Sequence, residues 1–170
     1  MLKVIDIIAS EFLKVTEKKP IRIISHYDTD GITSASILAK TCQRLDKKFT
    51  VRIVKSLTEE LISQELKRQP KEVIVFSDLA SGSLESFKNL EEPIFILDHH
   101  EIHKESLNDK IKIINPHLTE KPEDNDCTGA GICYLFSKAI SQKNKDLSSM
   151  AIIGMIGDRH ESNLSKSTKQ

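Results

Sequence analysis

Five short apolar runs, rich in β-branched residues, recur along the chain at residues 21–25, 50–55, 72–77, 93–97 and 111–115. Most are continuous rather than alternating, the pattern of parallel strands buried on both faces. Helical spacing fills the intervals. Residues 4–15 predict an opening helix; residues 31–46 carry Ile32, Ala35, Ile37, Leu38 and Leu45 at helical intervals, and residues 57–68 repeat the pattern before Pro70. Beyond the fifth strand, residues 117–126 are polar and read as a surface loop. A further helix is expected over 128–141, and another over 146–156 that ends at Gly157-Asp158. Strands and helices alternating in this way predict an α/β fold: an open, doubly wound, mainly parallel five-stranded sheet flanked by helices.

Composition adds bounds. The 170 residues suffice for one compact domain with a real core, and 38% hydrophobic with 29% charged residues is an ordinary balance. No run approaches the ~20 apolar residues of a membrane span, and the N-terminus does not resemble a secretory signal. Cys42, Cys127 and Cys133 form no CxxC pair, so a reduced, cytoplasmic setting with buried thiols is expected. Twenty-five basic residues balance twenty-five acidic ones. A nucleic-acid binder usually carries a basic surplus; here either the basic residues segregate, a partner domain supplies grip, or the substrate is small.

Chemistry-bearing residues collect at the predicted strand ends. His26, Asp28 and Asp30 follow the first strand within His26-Tyr27-Asp28-Thr29-Asp30-Gly31. If the backbone stays extended, period two projects all three the same way. Such crowding is relieved by a divalent cation, and hard oxygen donors with an imidazole suit Mn²⁺ or Mg²⁺. Asp78 closes the third strand, where a carboxylate can bridge two metals. Asp98-His99-His100 closes the fourth: His99 is a candidate ligand, His100 a contact to substrate phosphate, and Asp98 an orienting partner. Asp158 ends an apolar segment and is the last candidate ligand, with Arg159 placed to touch a phosphate. Thr128-Gly129-Ala130-Gly131 reads as the close-packed start of a helix, and Asn115-Pro116-His117 as turn chemistry.

In this order the motifs resemble the DHH phosphoesterase superfamily, whose namesake motif is Asp98-His99-His100. The HxDxDG spacing at residues 26–31, Asp78, Gly157-Asp158, and the Asn115-Pro116-His117 and Thr128-Gly129-Ala130-Gly131 segments resemble the RecJ-like exonuclease branch, particularly archaeal forms. The resemblance spans residues 20 to 160, nearly the whole chain. It implies His26, Asp28 and Asp78 at one Mn²⁺ or Mg²⁺ ion, Asp30, Asp78, His99 and Asp158 at a second, and His100 on the scissile phosphate. It further implies single-stranded DNA or RNA as substrate, a role in replication or repair, and association with the GINS complex and a replicative helicase. Two rivals stand beside it: a phosphoesterase for small substrates such as dinucleotides or nucleoside bisphosphates, and a non-catalytic replication scaffold. The superfamily usually continues into a second, DHH-associated domain. Residues 1–160 are therefore expected to form the catalytic domain, and 161–170 a polar tail or linker toward a domain this chain lacks.

Overall fold

The apolar runs form one sheet. The computed structural model describes residues 1–102, 107–119 and 127–167, with the helical backbone alone described over 159–167. The strands are β1 (Ile21–His26), β2 (Phe49–Val54), β3 (Val73–Ser77), β4 (Ile94–Leu97) and β5 (Ile111–Ile114). They pair in the order β2-β1-β3-β4-β5, every pair parallel. The chain leaves β1 toward β2 on one side and returns to β3 on the other. That reversal opens a crevice at the carboxyl ends of β1 and β3, the place where open α/β sheets bind ligands.

Among the described residues five α-helices accompany the sheet: α1 (Leu2–Val15), α2 (Thr29–Arg44), α3 (Glu59–Leu66), α4 (Gly129–Ile140) and α5 (Ser148–Ser167). Alternate strand residues supply two cores. Ile21, Ile23, Val75, Phe95 and Leu97 pack with Ile5 and Phe12 of α1, Ile37 and Leu38 of α2, and Phe136 of α4. Ile24, Phe76, Ile94 and Ile96 face the opposite layer, with Ile62 of α3 and Leu84 and Phe87 of the 3-10 segment Ser81–Phe87. Strands β1, β3 and β4 are covered on both faces, which is why their sequences do not alternate. Cys42 and Cys133 are buried, and burial pushes the Cys42 thiol up to about 12, so both act as packing groups.

One expectation changes. The helix expected to stop at Gly157-Asp158 continues as α5 through Ser167. Gly154 and Gly157 are contact points on it. A Cβ on Gly157 would stand 2.4 Å from the Thr29 Cβ, and one on Gly154 2.5 Å from the Ala130 Cβ. Glycine here lets α5 approach the first turns of α2 and α4; it does not mark a helix end. Residues 120–126 of the expected surface loop lie outside the described residues.

Candidate metal centre

Strand β1 delivers His26 and then stops. Asp28 is the N-cap of α2, its Oδ1 accepting from the Gly31 amide at 2.7 Å, and Asp30 sits in the first turn of that helix. His26, Asp28 and Asp30 therefore do not share an extended strand, contrary to the period-two expectation: they gather because the strand turns directly into a helix. Gly31 permits the sharp turn, since a Cβ there would lie 2.4 Å from the His26 carbonyl oxygen. Asp28 uses its second oxygen, Oδ2, in a short contact with His26 Nδ1.

Asp30 is buried, and its carboxylate faces the start of α4. Its oxygens accept from the Gly129 amide at 2.7 Å and the Ala130 amide at 2.9 Å, two donors left free by helix geometry. His99 Nε2 stands 3.8 Å from Asp30 Oδ2. The small residues opening α4 thus bring backbone N–H groups onto a candidate ligand.

Asp78 lies at the centre. Both of its oxygens are buried and have no hydrogen-bond partner among the described residues, although His99 Nε2 is 3.3 Å from Oδ1 and His26 Nδ1 is 3.7 Å from Oδ2. Burial, and after it the charges of Asp30, Asp28 and Asp98, push its carboxyl up to about 10. Its backbone is left-handed (φ 56°), as is that of Ala80 (φ 91°). Such conformations cost about 1–3 kcal/mol each in non-glycine residues and persist only where the surroundings enforce them.

The surroundings here are the ends of β4 and β5. The Asp98 carboxylate, fully buried, accepts from the Ser81 amide at 2.8 Å and the His99 amide at 2.9 Å, and pairs with His100 Nδ1 at 2.7 Å. Burial opposes ionisation of Asp98, but His100 and the Ser81 bonds outweigh it and hold the carboxyl below its usual range. Reciprocally, the bond to Asp98 raises the His100 imidazole. Asn115 completes the brace: its side-chain amide donates to the Ser81 hydroxyl at 2.8 Å and to the His100 carbonyl at 2.9 Å. In the sequence Asn115 reads as turn chemistry within a segment of family resemblance, and nothing marks Ser81. Each is an isolated polar residue with no periodicity to mark it.

Two sets of donor atoms lie within 4.8 Å of one another, His26–Asp28–Asp78 and Asp78–His99–His100, and Asp78 belongs to both. Asp30 and Asp158 join neither set among the described residues. Asp158 is half-buried on α5, one helical turn past Gly154, where an added Cβ would meet Asp30 Oδ1 at 2.7 Å. The side chain of Arg159 lies outside the described residues. A buried carboxylate with both oxygens unpaired, ringed by three further carboxylates and three imidazoles, suits divalent cations with a preference for oxygen and imidazole donors.

A parallel α/β sheet carrying this cluster at its carboxyl edge places ligand-type side chains in the crevice where such sheets bind ligands. The sequence pattern of the DHH family, N-terminal domain, matches residues 20–157, and the chain belongs to that family. An uncharacterized protein of Methanocaldococcus jannaschii is 37% identical over 142 residues, covering 81% of this chain and 32% of the relative. A putative prophage-derived single-strand DNA-specific exonuclease of Bacillus subtilis is 26% identical over 144 residues, covering 79% of this chain and 25% of its own length. Among solved structures, RecJ of Thermus thermophilus in complex with Mn²⁺ superposes with a TM-score of 0.75 at 21% identity, over 92% of this chain and 24% of that one. The chain thus spans a quarter to a third of the length of these relatives, and the last of them shows the fold alone. No helix among the described residues is long and apolar enough to cross a membrane.

Proposed function

We propose that this chain is the catalytic domain of a metal-dependent phosphodiesterase that cleaves single-stranded nucleic acid, an exonuclease of the RecJ kind. Asp78 carries the reading: both of its oxygens are buried and unpaired at the meeting of two donor sets. Such a group is costly unless a cation occupies it. His26, Asp28 and Asp78 would hold one ion, and Asp78, Asp30, His99 and Asp158 a second, with Mn²⁺ or Mg²⁺ the fitting species. Bound there, the pair would supply a lowered pKa for an attacking water and charge stabilisation on the phosphate.

The chain's own groups act around that centre. Asp98 fixes the His100 ring through Nδ1, leaving Nε2 to face a phosphate oxygen as a donor. The raised His100 pKa keeps this imidazole charged to higher pH than usual. The two N–H groups at the start of α4 orient Asp30. The printed name of the Bacillus subtilis relative supports a single-stranded DNA substrate. The zero net charge favours a second reading, a small phosphoester such as a dinucleotide.

The test is Mn²⁺-dependent release of label from a single-stranded oligonucleotide. Asp78→Ala is expected to abolish cleavage while the circular-dichroism spectrum is unchanged. Cleavage by a variant that still takes up Mn²⁺ would refute the bridging role. Faster turnover of a dinucleotide than of a long strand would favour the small-substrate reading.

A further inference from the structure

The zero net charge of the chain conceals a segregation of charge between the two ends of the sheet. At the carboxyl ends of the strands, residues 26–30, 55–60, 78–83 and 98–101 hold seven acidic residues and one lysine. At the amino ends, on the layer of α1, α2 and α4, three segments carry the opposite sign. They are residues 14–18 at the end of α1, 40–48 at the end of α2, and the 3-10 segment Gln142–Leu147 after α4. Together they hold eight lysines and arginines against three acidic residues. On the α3 layer of the same edge the charges are paired, Arg68 with Glu72, Lys71 with Glu91 and Lys88 with Glu85. The basic surplus is confined to one band.

The three segments form one surface. The Lys47 ammonium donates to the Thr16 and Glu17 carbonyls at 2.7 and 2.9 Å, which joins the end of α2 to the end of α1. Arg44 donates to the Lys143 carbonyl at 2.9 Å and pairs with Asp146 at 2.6 Å, which joins α2 to the 3-10 segment. A cation at a helix C-terminus ordinarily offsets the exposed carbonyls, and Lys47 does so for α1. Lys14, Lys18, Lys48, Lys143 and Lys145 make no such bond. All five are exposed, and none has a hydrogen bond or ion pair through its ammonium group among the described residues. Like charges gathered in this way repel one another, and a bound polyanion relieves the repulsion.

We infer that this band grips the phosphate backbone of a single-stranded nucleic acid at a distance from the bond cleaved. The choice of a nucleic acid over an acidic peptide rests on the phosphodiesterase reading, and the inference adds a preference for long strands over dinucleotides. Lysine ammoniums act as point charges, so the grip is indifferent to sequence. Helix α2 runs from the carboxylate cluster to the band over 16 residues, about 24 Å at a rise of about 1.5 Å per residue. On the order of seven nucleotides cover that distance at a backbone spacing of about 3.4 Å. A trinucleotide falls short of it.

Binding without metal isolates the band from the cluster. The anisotropy of a labelled oligothymidylate of about twenty nucleotides is followed in EDTA at several salt concentrations. Five phosphate contacts give a slope of log affinity against log salt of about −3.5, at about −0.7 per contact. Lys143→Glu with Lys145→Glu should weaken binding at least tenfold and make the slope shallower by about 1.4. Lys67→Glu with Lys88→Glu changes the net charge equally at two exposed positions on the α3 layer and should leave affinity within twofold. With Mn²⁺ present, the band variant should raise the KM for the long strand by a similar factor, with kcat, trinucleotide cleavage and Mn²⁺ affinity unaltered. Equal losses in the two variants, binding insensitive to salt, or polyglutamate bound as tightly as the oligonucleotide would overturn the inference. Binding at the band without Mn²⁺-dependent cleavage of any strand would leave the band standing and refute the phosphodiesterase reading. Cleavage of long strands by a chain with no such binding would do the reverse.

Discussion

The carboxylate of Asp30 accepts a 2.7 Å hydrogen bond from the backbone amide of Gly129, 99 residues further along the chain. The bond joins the first turn of α2 to the first turn of α4 and fixes one wall of the cluster. It also leaves no room at position 129: a Cβ there would lie 2.8 Å from the Asp78 Cβ and 2.9 Å from Asp30 Oδ2. Gly129→Ala must therefore displace two candidate ligands. We expect a loss in Mn²⁺ affinity of at least tenfold, about 1.4 kcal/mol, measured by calorimetry. An alanine variant with undiminished affinity would show that the cluster tolerates such a shift.

Asp78 makes the opposite demand on the metal-free chain. Its folded carboxyl is raised to about 10, whereas an unfolded one titrates near ~3.9. Between those values the folded state binds the extra proton, so the metal-free chain loses stability as pH rises through this window. Asp78→Asn removes the ionisable group and should raise the metal-free melting temperature by roughly a few degrees at about pH 8. The same variant should gain nothing from added Mn²⁺, unlike the unaltered chain. Differential scanning calorimetry with and without the metal decides both points, and a lower metal-free melting temperature for Asp78→Asn would contradict the argument.

Burial explains which parts of the molecule were legible in the sequence. Strands β1, β3 and β4 are covered on both faces, so each is a solid apolar run, and the residue that follows or closes the run is visible as a candidate. His26, Asp78 and His99 are candidates of this kind. Period two does not describe Asp28 and Asp30, because Asp28 caps a helix and the chain coils from there. Gly157 resembled a helix end because sequence alone does not separate a terminating glycine from one that permits close packing. Ser81 and Asn115 depend on contacts between residues far apart in the chain. Asn115 and Ser81 are 34 residues apart, and no local pattern joins them.

That pair supports a third prediction. Asn115 is buried and its side-chain amide is the donor that holds the Ser81 hydroxyl and the His100 carbonyl together. Asn115→Ala leaves both acceptors short of a partner, at a cost of about 1–3 kcal/mol, and relaxes the left-handed turn that aims Asp78. Asn115→Asp keeps the acceptor for the His117 amide but turns a negative charge on the His100 carbonyl, and should be the more damaging change. Urea denaturation gives the stability order, and Mn²⁺ calorimetry shows whether affinity falls with it. Equal effects of the two substitutions would argue against the donated bonds as the cause.

The last prediction concerns the opposite layer of the sheet. The Glu65 carboxylate is fully buried and receives Arg22 through two 3.0 Å bonds and Arg52 through one of 2.6 Å. Burial pushes this carboxyl up, but the bonds and charges of the two arginines prevail and hold it below its usual value. Glu65→Ala strands the buried Arg22 guanidinium and should cost about 3–5 kcal/mol. A depressed acid contributes its stability above the unfolded carboxyl pKa, and that contribution disappears as pH falls through the folded value. The difference between the unaltered chain and Glu65→Gln should therefore be full at neutral pH and shrink on acidification. Urea unfolding at several pH values measures it, and a difference that stayed constant down to acid pH would mean that the ion pair is not its source. Because Glu65 sits on α3, away from the carboxylate cluster, Mn²⁺ affinity of the folded variant should be unaltered.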